Sequence, residues 1–230
     1  MSVAFLNSPV LDQTSMDTPE PSTANSPRRT KLQMRTQAEH CMLEAARQIV
    51  ARKGWIGITL AEVGLQAGYS RGLAAHHFGT KAGLLRALAG FVNTTFMDTV
   101  EDQAPQRQPG LETLLGYIDA YFLRDDAEWT NTRALLALMA EGVTVESESA
   151  AILAEYNQSV RMTLARQVEI GIANGEIHAS TDPLEAATLM LGTLRGMMMQ
   201  LLLDPAAVDP TLLHKQLRRL IEALLTLPSA

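Results

Sequence analysis

The stretch GYSRGLAAHHFGTK, residues 68–81, sets two adjacent histidines between Arg71 and Lys81 and close to Ser70. These residue types suit two kinds of chemistry. Histidines and a serine can hold a metal ion or move protons, whereas an arginine, a lysine and hydroxyl groups can hold phosphate. Spacing separates the two. Neighbours on a helix point about 100° apart, so His76 and His77 do not converge on one metal as an i, i+4 pair could. No Asp or Glu lies between Ser70 and Lys81 to orient either ring as a base. The five histidines, at 40, 76, 77, 178 and 214, are scattered, and no nucleophile motif appears. DNA contact therefore outweighs catalysis, and neither a metal nor a cofactor is expected. A plainer role also stays open to His77, that of a partly buried residue packing beside Phe78.

The elements that must position this stretch are helices. From Thr36, the apolar residues Met42, Ala45, Ala46, Ile49 and Val50 recur at helical spacing, and Gly54 supplies the stop. Thr59 with Glu62 three residues on spells a capping box that opens a second helix, whose inward face is Leu60, Val63, Gly64 and Ala67. Gly68 can take the left-handed conformation that ends a helix, and Ser70 can cap the next. Two short helices meeting across such a turn form a helix-turn-helix, with residues from about Ser70 to Phe78 entering the major groove. The small Gly64 and Ala67 let the two cross closely.

Charge is distributed to match. Residues 1–27 carry three acids and no Lys or Arg; residues 28–90 carry ten Lys or Arg against three acids; residues 91–230 carry nine against nineteen. The net charge of −6 thus hides a basic segment on an acidic body, the asymmetry of a DNA-binding module joined to something with other work. The plainer alternative is chance clustering on a solvated face. Residues 1–27, rich in Ser, Thr, Pro and Asp, read as a disordered tail, and Arg28, Arg29, Lys31 and Arg35 as a basic arm.

Six further helices are expected: Lys81 to Asp102, Leu111 to Leu123, Ala127 to Gly142, Ser149 to Asn174, Pro183 to Leu203 and Pro210 to Leu227. Alternating extended segments are absent, so the fold class is all-α. The single Cys41 allows no intrachain disulfide and no cysteine zinc cluster, which fits a reducing cytoplasm. The N-terminus has no basic region ahead of an apolar run, and the most apolar stretch, GMMMQLLLDP, is too short to span a bilayer. A cytoplasmic protein without a membrane partner is expected.

With these residues laid out, the segment from about Thr36 to Ala89 resembles the DNA-binding domain of the TetR family of transcriptional regulators. The resemblance rests on Ala45-Ala46 and Gly54, Thr59 with Val63, Ala67-Gly68, Ser70, Gly72, His77-Phe78, Thr80-Lys81 and Leu84-Leu85. It implies DNA-binding roles position by position. Thr59 and Ser70, at helix N-termini, suit a phosphate oxygen. Arg71 could fork onto guanine, and Gly72 would let the backbone approach closely. Leu73 would touch a thymine methyl or belong to the core. His77 and Lys81 match positions that hold the DNA backbone. Ala75 departs from the pattern, where a phosphate-binding tyrosine is usual, and His76 or the arm with Arg28 and Arg29 would compensate.

The resemblance divides the chain into a three-helix DNA-binding domain over residues 28–90 and a helical effector-binding and dimerisation domain over residues 91–230. It implies a homodimer joined by its last two helices. Two leucine-rich stripes could form that seam or equally the protomer's own core: Leu184, Ala187, Leu191, Leu194, Met198 and Leu201, then Leu213, Leu217, Leu220 and Leu224. Gly192 and Gly196 would permit close approach. Met97, Tyr117, Tyr121, Trp129, Met139, Tyr156 and Met162 supply adaptable thioethers and rings for a small, largely apolar effector, though each could be ordinary core. The expected output is repression at a near-palindromic operator, relieved by that effector. Two rivals remain, a helical enzyme with a DNA anchor and a protein-interaction module whose helix-turn-helix is only structural.

Overall fold

The computed structural model describes residues 30–103, 107–122, 128–144 and 148–227, so residues 1–27, Arg28 and Arg29 lie outside the described residues. Among these, nine helices and no strand are present. The first, α1 (Lys31–Lys53), starts earlier than the apolar pattern indicates, because Thr30 and Gln33 cap each other's backbone N–H groups at 3.2 and 2.8 Å. Lys31 and Arg35 of the expected arm are therefore the exposed first turns of a helix. The buried face of α1 is Met42, Leu43, Ala45, Ala46, Ile49 and Val50, and Gly54 ends it at φ +78°.

Helix α2 (Leu60–Gln66) is capped by Thr59, whose hydroxyl oxygen accepts from the Glu62 N–H at 3.2 Å. Only half of the expected box forms, since the Glu62 carboxylate is held by Lys53 Nζ at 2.7 Å instead. Helix α3 (Leu73–Phe78) follows, and then α4 (Lys81–Gln103), 23 residues in one rod. Leu84, Leu85 and Leu88 of α4 close the core of the first three helices, while Val92 and Phe96 pack among the later ones.

Those later helices are α5 (Leu111–Phe122), α6 (Thr130–Gly142), α7 (Glu148–Ala173), α8 (Pro183–Leu203) and α9 (Pro210–Thr226). The Asp-Pro pairs at 182 and 209 start α8 and α9: each Asp accepts a backbone N–H at 2.8 Å and each Pro occupies the first turn. Helix α6 begins at Thr130, and the expected start at Ala127 lies outside the described residues. The main packing partners are α1 with α6, α7 with α8, and α5 with α9. At 21 residues α8 is long and apolar enough to cross a bilayer, which the ten-residue run that overlaps its C-terminal end does not suggest. Its Ala187, Met190, Leu191, Leu194, Met198 and Leu201 fill the core.

One polar cluster fastens α9 to α5. Asp119 is 9% exposed. Its carboxylate accepts from Arg218 Nη1 at 2.6 Å on both oxygens, lies 2.8 Å from His214 Nε2, and is 3.5 Å from Arg107 Nη2. The His214 ring stacks on Phe122 at 5.0 Å between centroids.

Candidate nucleic-acid interface and effector cavity

Helices α2 and α3 meet across a turn whose closeness depends on Gly64. A Cβ built there would stand 2.5 Å from the Ser70 carbonyl oxygen. The Tyr69 N–H donates to the Gly64 carbonyl at 2.8 Å, and the Leu73 N–H donates to that of Ser70 at 3.1 Å. Gly68 stands at φ +81°, where glycine carries no Cβ penalty. Ser70 does not cap α3 as expected. The helix starts three residues later with Gly72 at the cap and no side-chain bond to it.

The turn and α3 present two faces. Ser70, Arg71, Gly72, Ala75 and His76 are exposed, and Gly72, Ala75 and His76 share one side at i, i+3, i+4 spacing. Ala74 is fully buried, and Leu73 and Phe78 pack on the core. Leu73 is thus placed by packing, which favours the core role over a thymine contact. His77 turns inward as well: Nε2 lies 3.0 Å from Glu39 Oε2 on α1, and the ring stands edge-on to Phe78 at 4.9 Å. The acid that orients this histidine comes from a helix more than thirty residues earlier, and no residue between 70 and 81 signals it. His76 and His77 diverge, and among the described residues no three His, Cys, Asp or Glu side chains gather to hold a metal ion.

Thr59 is exposed with its oxygen already accepting as a helix cap. Lys81 is partly engaged: Nζ donates to the Ile56 carbonyl at 2.9 Å and lies 5.1 Å from the Trp55 ring centroid. Arg71 has no partner among the described residues, which leaves its guanidinium fork available at the tip of the motif.

Three of the seven expected effector residues converge. Tyr117, Tyr121 and Tyr156 line a narrow cavity with Val92, Phe96 and Asn131. Phe96 of α4 contacts Tyr117 and Tyr121 at centroid distances of 4.6 and 4.3 Å. Burial pushes the Tyr117 and Tyr156 phenols well above their ordinary range, so both are neutral donors. The open space is about 10 Å³, room for roughly one water. Met139 lies nearby against Arg195, with its sulfur 3.8 Å from Nη1. The other three do not line the cavity: Met162 is 54% exposed on α7, Trp129 packs edge-on against Phe122, and Met97 packs on the core. Periodicity identifies helix faces, but it does not say which face a neighbouring helix covers. A wider cleft of about 510 Å³ lies between α1 and α6, lined by Arg47, Gln48, Ala51, Arg52, Glu128, Thr130 and Arg133.

The expected dimer residues divide in the same way. Leu191, Leu194, Met198 and Leu217 are at most 2% exposed within one protomer, where they fill its own core. Leu213 is partly buried, whereas Leu220 and Leu224 remain exposed on α9. On α8 the exposed stripe is Leu189, Gly192, Gly196, Met199 and Leu203, at alternating spacings of three and four. Nothing stands within 4 Å of a Cβ at either glycine.

This architecture, a helix-turn-helix docked on a helical body, is that of a DNA-binding transcription regulator. Residues 42–88 match the bacterial regulatory proteins of the tetR family, and residues 110–226 match the C-terminal part of the BetI-type transcriptional repressors. The chain belongs to the TetR family. It is 32% identical over 101 residues to the HTH-type transcriptional regulator CymR of Pseudomonas putida, a match spanning 40% of this chain and half the length of that relative. Among solved structures, it resembles a Rhodococcus sp. protein described as a TetR-family transcriptional regulator (TM-score 0.75, 22% identity, 83% of this chain and 100% of that one). It also resembles a Saccharomonospora viridis protein described as a transcriptional regulator in complex with choline (TM-score 0.67, 18% identity, 84% and 100%).

Proposed function

We propose that this protein is a ligand-responsive repressor that binds a near-palindromic operator as a homodimer and leaves it when a small effector occupies the tyrosine cavity. The observation that carries this reading is the continuity of α4. One rod holds Leu84, Leu85 and Leu88 in the core behind the recognition helix and Phe96 against Tyr117 and Tyr121. An effector that opens the nearly closed cavity must displace groups touching Phe96. Its binding therefore favours another position of α4, and operator affinity falls by the coupling free energy, usually about 1–3 kcal/mol. The division into residues 28–90 and 91–230 falls within this rod, which makes α4 the joint between the two activities. The complex of the Saccharomonospora relative with choline supports a small-molecule site in this fold.

On the DNA side, Arg71 reads a base edge, with Ser70, Gly72, Ala75 and His76 facing the groove. Lys81 and Thr59 flank the DNA backbone, and the charges of Arg28 and Arg29, just ahead of α1 in sequence, add to the attraction for phosphate. His77 acts from behind by tying α3 to Glu39 of α1. Two recognition helices in successive major grooves stand about 34–36 Å apart. The test is binding of purified protein to the DNA flanking its own gene over a salt series. Specific binding should weaken steeply as salt rises. Arg71→Ala should cost about 1–3 kcal/mol and relax preference at one operator position. Salt-insensitive binding, equal for operator and random DNA, would remove the DNA-reading assignment.

In the proposed dimer, the seam uses the exposed stripe Leu189, Gly192, Gly196, Met199 and Leu203 with Leu220 and Leu224. Open space beside both glycines lets two α8 helices approach closely. Leu220→Glu should give monomers in sedimentation while the thermal midpoint of the fold stays near that of the wild-type monomer, because Leu220 is already 52% exposed. A variant that remains dimeric at micromolar concentration would place the seam elsewhere.

A further inference from the structure

Arg195 is the one charged residue between Glu185 and Asp204 in an otherwise apolar and small-residue run of α8. Its Nη1 donates to Asn157 Oδ1 and lies 3.8 Å from the Met139 sulfur. Nε and Nη2 are buried and make no hydrogen bond of ordinary geometry, the Tyr156 phenol lies within reach of the guanidinium, and among the described residues no carboxylate pairs with it. A buried cation without a charged partner is costly to a folded chain, so an anion that paired with it would bind favourably. The surroundings add direction. Arg195 lies beside Tyr156, whose phenol is pulled toward ionisation by the guanidinium and pushed away from it more strongly by burial. Tyr156 in turn lines the cavity with Tyr117, Tyr121 and Phe96.

Nε and Nη2 are also the matched pair. Nε–H and one Nη2–H leave the guanidinium in parallel from the same edge, and that edge fits both oxygens of a carboxylate. From this geometry we infer that the effector carries a carboxylate, which docks side-on at Arg195 while its apolar or aromatic body displaces space among Tyr117, Tyr121, Tyr156 and Phe96. This rests on the reading of the cavity as the effector site, and it narrows the effector from an apolar molecule to an amphipathic monoanion. One guanidinium in a low-dielectric site balances one negative charge, which favours a carboxylate over a dianionic phosphate. The thioether of Met139, which is flexible, can move aside as the acid enters.

The test titrates the full-length protein with benzoate, phenylacetate and octanoate, and with benzamide, phenylacetamide and octanamide, by calorimetry and thermal midpoint. At least one acid should bind about ten- to a hundredfold more tightly than its own amide, as expected for hydrogen bonds to a charged partner. Arg195→Gln should erase that preference and Arg195→Lys should keep part of it. Amides that bind as well as their acids, or a preference that survives in Arg195→Gln, overturn the carboxylate assignment and leave the cavity reading intact. Failure of all six compounds to bind overturns both. A second measurement needs no ligand. Arg195→Met should leave the ligand-free midpoint unchanged or raise it, and a fall of more than about 4 °C would mark Arg195 as a structural residue and overturn the proposal.

Discussion

Replacing Asp119 by alanine should destabilise the protein by about 3–5 kcal/mol, because it removes the acid that, among the described residues, pairs with a cluster of three basic side chains. The carboxylate sits on α5 with 9% of its surface exposed and takes up Arg218 and His214 from α9 together with Arg107. Once it is gone, Arg107 has nowhere to go. Its guanidinium lies where a Cβ on Gly116 would stand, only 1.6 Å away, and its Nη1 already lacks a partner. The largely buried Arg107 is then left without a carboxylate, and α9 loses its polar attachment to α5. Since α9 also carries Leu220 and Leu224, the same substitution should weaken the proposed dimer. Urea melts of Asp119→Ala against wild type check the first effect and sedimentation the second. A double variant that replaces Arg218 by Met as well should recover part of the loss, since pairing an apolar residue with the cavity removes the orphaned charge. A single variant within 1 kcal/mol of wild type, a threshold of roughly RT ln 5, would show that water already satisfies this cluster.

How much of this could be read from the sequence depends on the range of the interaction concerned. The helices were legible because their signals are local: Gly54 and Gly68 at helix ends, Thr59 as a cap, Asp-Pro pairs before α8 and α9. The start of α1 was legible in principle, through Thr30 and Gln33, but apolar periodicity does not report a cap on an exposed turn. The exposed side of the recognition motif follows from spacing, whereas the inward turn of His77 does not, because its partner Glu39 is distant in sequence. The same limit applies to the two stripes on α8. Leu191, Leu194 and Met198 and the opposite row through Leu189 and Met199 are both apolar, and only packing against α7 and α9 decides which is core. Arg195 carried a sequence signal, a lone cation in an apolar run, yet its unpaired edge is visible only once Asn157 and Tyr156 are placed around it.

Gly64→Val should lower both the stability of the fold and operator affinity, and comparison with Gly72→Ala should show why. The two glycines sit eight residues apart in the same motif and have opposite surroundings. At Gly64 a Cβ meets the Ser70 carbonyl oxygen at 2.5 Å and the Arg71 Cα at 3.7 Å, all of it backbone. The turn would have to retreat by about 1 Å to reach ordinary contact. Such overpacking costs about 1–3 kcal/mol, and the branched Val adds to it by lying on a helix. The moving part is the turn that aims Arg71, so affinity falls even in molecules that stay folded. At Gly72 nothing stands within 4 Å of a Cβ, and φ is −85°, which any residue adopts. Gly72→Ala should therefore keep the thermal midpoint and lose operator affinity only, by holding the backbone away from DNA. Gly64→Val should lower both. Circular-dichroism melts paired with fluorescence anisotropy on the operator separate the two patterns. A Gly64→Val protein with wild-type affinity would mean that the turn can shift without moving Arg71, and the close approach of α2 to α3 would lose its role in aiming the recognition helix.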